Sequence, residues 1–122
     1  MFVYVIIAII NMYSKELIRG TLQPLVLKLL YPDNRMYGYE ICQKVKELTN
    51  EDLMIKEGSL YPALHKLKDN GLIDVEEVMI GKRARRYYRL TESGKHEAKM
   101  KTEELSNFMK TIQLFLKATT AS

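Results

Sequence analysis

Residues 57–90 read EGSLYPALHKLKDNGLIDVEEVMIGKRARRYYRL, and the spacing of apolar positions changes within them. Leu60, Leu64 and Leu67 recur at the period of a helix with one buried stripe. Ser59 is read as the N-cap of that helix. Pro62 is read as a first-turn residue, where amide hydrogens have no internal partner. Asn70-Gly71 ends the helix, because glycine takes the left-handed position there without steric cost. Leu72 to Met79 and Arg85 to Leu90 are short runs rich in β-branched or aromatic residues, joined by Ile80-Gly81-Lys82-Arg83-Ala84. Together they predict a β-hairpin with a basic tip.

N-terminal to this stretch lie two further helical patterns. Apolar residues at 17, 18, 22, 25, 26, 29 and 30 mark the first, with Ser14 as N-cap and Glu16 in its opening turn. Pro24 falls inside it and predicts a kink or a restart at Thr21, since its ring crowds the carbonyl of Gly20. Tyr31-Pro32-Asp33-Asn34 closes the pattern. Tyr37-Gly38-Tyr39 opens the second helix, with Ile41, Cys42, Val45 and Leu48 along one face and Thr49-Asn50 at its end. Past the hairpin, Thr91 caps a last helix with Glu92 in its first turn. Ala98, Leu105, Phe108, Met109, Ile112, Phe115 and Leu116 carry its period onward. The expected fold class is mainly α with a small β-hairpin: a winged helix-turn-helix plus a long C-terminal helix. It divides as 1–11 an apolar N-terminal extension, 12–91 the winged-helix domain and 92–122 the dimerisation helix.

Charge narrows the function. The chain has 122 residues with 19 Lys and Arg against 15 Asp and Glu, a net +4. Residues 82–95 hold six cations and one acid, a local +5, so the rest of the chain is slightly acidic. A nearly neutral body with one basic segment points to a local anionic partner. One cysteine excludes a disulfide framework and a cysteine-rich zinc site, which reads as a cytoplasmic chain. His65 and His96 lack metal-ligand spacing. Glu76 and Glu77 are adjacent on a strand, so they point to opposite faces and cannot share acid–base work. No triad or phosphate loop is present, so an enzyme is not expected and no cofactor is implied. Met1 to Ile10 is wholly apolar but too short to span a bilayer, so no membrane partner is expected. It also lacks the features of a signal peptide. The natural start is expected at Met12. The other reading of 1–11 is an arm packed on the domain or on a partner copy.

Four stretches, KELIRGTLQPLVLKLL (15–30), MYGYEI (36–41), EGSLYPALHKLKDNGLI (57–73) and GKRARRYYRLTESGK (81–95), together resemble the PadR family of bacterial transcriptional regulators. The single C-terminal helix, rather than a larger C-terminal domain, resembles the smaller subfamily, although Pro24 departs from the family's unbroken first helix. The resemblance implies a homodimeric repressor on an inverted-repeat, double-stranded DNA operator, released by a small aromatic or hydrophobic effector. Some relatives clamp effectors between tryptophans. This chain has none, so Phe108 and Phe115 are the weaker candidates for that role.

The residues expected at DNA are Ser59, Tyr61, His65, Lys66 and Lys68 on the third helix and Lys82, Arg83, Arg85 and Arg86 on the wing. Tyr37, Tyr39 and Lys15 join them as candidate phosphate contacts. A solvated face with Tyr61 packed on a neighbour is the plainer alternative for the helix, and solubilising edge charge is the plainer alternative for the wing. Tyr37 and Tyr39 serve equally well as core packing. The dimer interface is expected at Leu105, Phe108, Met109, Ile112, Phe115 and Leu116, whose spacing suits a coiled-coil seam. Folding back on the first helix is the other use of that stripe. A winged-helix protein–protein module without DNA binding is the competing function.

Overall fold

A computed structural model of the chain describes residues 13–120; the expectations for residues 1–11 and for Met12 lie outside them. The order is α1 (Lys15–Leu30), β1 (Met36–Tyr37), α2 (Gly38–Leu48), α3 (Glu57–Asp69), β2 (Ile73–Ile80), β3 (Arg83–Leu90) and α4 (Glu92–Thr120). This is the expected winged helix-turn-helix with a long last helix.

Ser14 caps α1, its hydroxyl accepting from the Leu17 amide at 3.3 Å. The helix continues through Pro24, with no restart at Thr21. An interior proline costs about 3 kcal/mol in a lost hydrogen bond and crowding. Leu22, Val26, Leu27 and Leu30 around it are almost wholly buried, and burial stabilises by roughly 1.5–3 kcal/mol for each such side chain. Packing therefore outweighs the local defect.

The helix-turn-helix is α2 and α3. Glu40 accepts the Tyr37 amide at 3.2 Å and so satisfies one donor at the start of α2. Ile41, Cys42 and Val45 are buried as expected, whereas Leu48 is 64% exposed. The last turn of α2 projects past the core, so periodicity alone overstates its buried face. α3 starts two residues before the expected cap: Lys56 is the N-cap, and Ser59 lies in the first turn, donating its amide to the Lys56 carbonyl at 3.0 Å. Pro62 thus sits beyond the first turn and withholds a hydrogen bond from the Gly58 carbonyl. Gly58 and Pro62 both face solvent, where water replaces that bond.

Both helices stop by the same device. In α3 the Leu72 amide donates to the Leu67 carbonyl and the Gly71 amide to Lys68, at 3.0 and 2.9 Å, with Gly71 at φ +73°. In α2 the Glu51 amide reaches the Lys46 carbonyl and Asn50 reaches Glu47, at 2.8 and 3.3 Å, with Asn50 at φ 52°. These are Schellman stops.

The sheet has three antiparallel strands in the order β1-β3-β2. In the hairpin, Ile80 pairs with Arg83 and Ile73 with Leu90. Its loop is only Gly81-Lys82, two residues rather than the five expected, with Gly81 at φ +63°. Glycine in first place is the type II′ preference, which matches strand twist. β1 is an addition to the expected hairpin: Met36 pairs with Tyr88 and Tyr37 with Tyr87. Two residues carry no periodic signal, and β1 exists because β3 offers an edge to pair with.

α4 starts where α3 stops. Thr91 donates its amide to the Leu72 carbonyl and its hydroxyl to the Gly71 carbonyl, at 3.0 and 2.7 Å. Its hydroxyl also caps α4 by accepting from the Gly94 amide at 3.0 Å. Gly94 is buried, and a methyl there would overlap the Leu72 carbonyl. α4 runs antiparallel to α1: Lys95 pairs with Asp33 at 2.8 Å, and Lys99 lies 5.7 Å from the Tyr31 ring centre. The core joins Leu22, Leu30, Ile41, Leu60, Leu64, Ile73, Tyr88 and Ala98. Cys42 belongs to it, and burial, followed by nearby Glu57, pushes its thiol above the usual range.

Candidate nucleic-acid interface

Side chains alternate across β3, so the wing cations do not form one cluster. Arg83, Arg85 and Tyr87 share one face with Glu76 of β2, and Arg86 and Tyr88 share the other with Glu77. Arg86 Nε lies 3.4 Å from Glu77. Arg85 places its guanidinium 4.1 Å from the Tyr37 ring centre. Lys82 and Arg83, at the tip, make no ion pair with other described residues. The adjacent acids divide as alternation requires, Glu76 pairing with Arg35 at 2.9 Å and Glu77 with Arg86.

Two hollows bring the expected residues together. One, of about 490 Å³, lies between the wing and the starts of α2 and α3, and Tyr37, Tyr39, Tyr61, Arg83, Arg85 and Arg86 line it. The second, of about 450 Å³, runs along α3, where Tyr61, His65 and Lys68 face Glu77, Arg86 and Tyr88. Tyr61 and Arg86 belong to both, so α3 and the wing form one continuous surface. Arginine, lysine and tyrosine side chains, beside Glu57 in the first hollow and Glu77 in the second, suit a phosphate backbone, which cations neutralise and hydroxyl groups orient.

Several expectations divide at this point. Tyr37 is half-buried and packs, edge-on to Tyr87 at 5.5 Å and stacked on Tyr39 at 6.4 Å between ring centres. Tyr39 is 55% exposed and open to a ligand. Tyr61 takes both readings: it is 46% exposed, and its hydroxyl end lies against the Gly38 backbone. A side chain at Gly38 would displace that ring. Ser59 is half-buried, and Ser59 and Lys66 lie about 160° round the helix from Tyr61 and Lys68, away from the wing. Lys15 opens α1 and lines neither hollow. Its fifteen-residue separation from Leu30 corresponds to about 22 Å of helix.

Sequence reasoning passed over Arg35. Its guanidinium lies 4.6 Å over the Tyr87 ring and pairs with Glu76 on the sheet's outer face. The available signal was its position two residues before Tyr37, which puts both on one side of an extended segment.

At the opposite end, the far half of α4 is exposed. Phe108 and Met109 show 60% and 59% of their surface and Ile112 41%, whereas Leu105 is half-buried. Thr102, Leu105, Met109, Ile112 and Leu116 line a shallow hollow of about 560 Å³ there. Among the described residues, no group of three or more His, Cys, Asp or Glu could hold a metal, and no helix is long and apolar enough to cross a membrane.

A family model described as the transcriptional regulator PadR-like family matches residues 26–100. An uncharacterised protein of Lysinibacillus sphaericus is 34% identical over 107 residues, covering 86% of this chain and 96% of that protein. A transcriptional regulator from Clostridium thermocellum superimposes with a TM-score of 0.74 at 36% identity, over 82% of this chain and 97% of that one. Bacillus subtilis PadR, in complex with operator DNA, matches with a TM-score of 0.58 at 34% identity, over 64% of this chain and 44% of that one.

Proposed function

The chain belongs to the PadR-like family of transcriptional regulators, and from that premise we propose that it is a homodimeric repressor gripping an inverted-repeat operator. The observation that carries the reading is that Tyr39 and Tyr61 line one hollow with Arg83 and Arg85 from one face of the wing and Arg86 from the other. α3 enters the major groove, with Tyr61, His65 and Lys68 toward bases and phosphates. The wing contributes phosphate contacts that hold affinity with little regard to sequence. Ser59 and Lys66 approach from the other flank of α3, and Lys15 touches the backbone only at the edge of the footprint. The operator complex of Bacillus subtilis PadR supports this role for the matching winged helix.

Dimerisation uses the far half of α4. Leu105, Phe108, Met109, Ile112, Phe115 and Leu116 spread over one arc of the helix, and a second copy covers the exposed ones. Two α3 helices then lie about one DNA turn, roughly 34 Å, apart. The shallow apolar hollow at Leu105, Met109 and Ile112 becomes an effector cavity once the second copy closes it. An apolar effector there shifts the dimer away from the spacing that fits DNA. The bonds from Thr91 to Gly71 and Leu72 supply the mechanical link, because they tie the end of α3 to the start of α4.

The test is selection of bound fragments from the source genome, followed by footprinting. The expected result is a protected inverted repeat whose half-site centres lie about one helical turn apart. Failure to bind any fragment at moderate salt would overturn the reading in favour of a protein–protein module.

A further inference from the structure

One row of side chains crosses all three strands on the outer face of the sheet. Glu76 of β2 is the cross-strand partner of Tyr87 of β3, which is in turn the partner of Tyr37 of β1. Cations close this row above and below. Arg35 lies 4.6 Å over Tyr87 and is held by Glu76 at 2.9 Å, and Arg85 lies 4.1 Å over Tyr37. Tyr87 and Tyr37 meet edge-on at 5.5 Å. We infer that Arg35 is a positioning residue for the wing: through Tyr87 and Tyr37 it sets where Arg85 stands, and so presents that cation to nucleic-acid phosphate. The inference rests on the wing being a phosphate contact.

An arginine has four rotatable side-chain bonds, and ordering it at the moment of binding costs affinity. Arg85 stacked on Tyr37 has lost most of that freedom beforehand. Tyr37 keeps its place only while Tyr87 backs its edge, and Arg35 covers the face of Tyr87. Cation–π and edge-on ring contacts are directional, so each member fixes the next. The Arg35 and Glu76 side chains are themselves 46% and 52% exposed. An ion pair so open to water contributes little to folding, so stability does not account for Arg35 in this place.

A double-mutant cycle tests the inference, with affinity for a mixed-sequence duplex of about 30 base pairs measured across a salt series, where phosphate contacts dominate. Arg85→Ala is expected to weaken binding and to remove about 0.9 from the log–log salt slope. Arg35→Met is expected to weaken binding about threefold at an unchanged slope. In the Arg85→Ala background, Arg35→Met is expected to change nothing further, because its effect runs through Arg85. Arg35→Lys keeps a cation over Tyr87 and is expected to recover most of the loss. Additive effects would overturn the inference, as would a lower slope from Arg35→Met alone, which marks direct phosphate contact. So would a fall in melting temperature that tracks the loss of affinity, or no effect of Arg35→Met while Arg85→Ala weakens binding. If Arg85→Ala leaves both affinity and slope unchanged, the phosphate role of Arg85 fails first and takes the inference with it.

Discussion

At the tip of the wing Lys82 and Arg83 stand in solvent without an ion pair among the described residues, while Arg85 and Arg86 beside them are already engaged by Tyr37 and Glu77. Along the far half of α4 it is Phe108, Met109 and Ile112 that stand exposed. The two ends need different covers. Exposed cations are stable in water and gain by releasing counterions when they meet an anion. Exposed apolar side chains gain only by leaving water, at about 25 cal/mol for each Å² covered. One end is therefore suited to a partner that comes and goes with salt. The other is suited to a second apolar surface.

The comparison breaks most sharply if the two ends are mutated separately. Met109→Asp with Ile112→Asp is expected to yield monomers in sedimentation experiments. It should also reduce affinity for a two-half-site duplex by on the order of 100-fold, because linked binding of the second half-site is lost. The wing is untouched in this variant, so full-strength binding by monomers would refute the dependence of one end on the other.

Gly94→Ala strikes the joint between them. The added methyl meets the Leu72 carbonyl, so the start of α4 must shift. Stability is expected to fall by about 2 kcal/mol, measured by urea denaturation.

Arg85→Ala with Arg86→Ala is expected to lower affinity for all sequences roughly tenfold and to take about 2 from the salt slope, with the sedimentation behaviour unchanged. An unchanged slope would remove the wing from the phosphate contacts. Tyr61→Phe is expected to cost only a few-fold in operator affinity, since it deletes one hydroxyl and spares the ring against Gly38. Any larger drop in melting temperature than in affinity would make Tyr61 a packing residue first.

The smallest effect falls in the core between the two ends. The Cys42 thiol is raised by burial and then by Glu57. The unfolded thiol therefore ionises first, so its share of stability is complete below about pH 9 and is lost as pH rises through the folded value. At pH 8 a thiol reagent is expected to label Cys42 at the rate of unfolding, not at the rate of an exposed thiol. Fast labelling would show that α2 opens locally.

Much of this was legible in residue order because its causes are short-range. Ser14 caps α1 through a neighbour three residues away, and Asn70-Gly71 stops α3 through bonds spanning five residues or fewer. Strand alternation alone separates Glu76 from Glu77. The site was less legible. Arg35 and Glu76 are 41 residues apart, and their pairing depends on β1 joining β3. The chemistry of Ser59 suits a cap. The backbone instead turns into a helix at Lys56, where no side-chain cap operates.

The sequence by itself determined the order of the four helices and the hairpin, the helix stops and the concentration of positive charge on the second hairpin strand, all set by local hydrogen bonding, period and turn chemistry. Tertiary structure alone decided that α1 passes through Pro24, because the energy that keeps it helical there comes from the buried Leu22, Val26, Leu27 and Leu30 around it. It decided that β1 exists, that Arg85 rests on Tyr37, and that α4 is covered in its first turns and bare beyond them. Each of these depends on which surfaces distant parts of the chain bring together, and only the packed core specifies that.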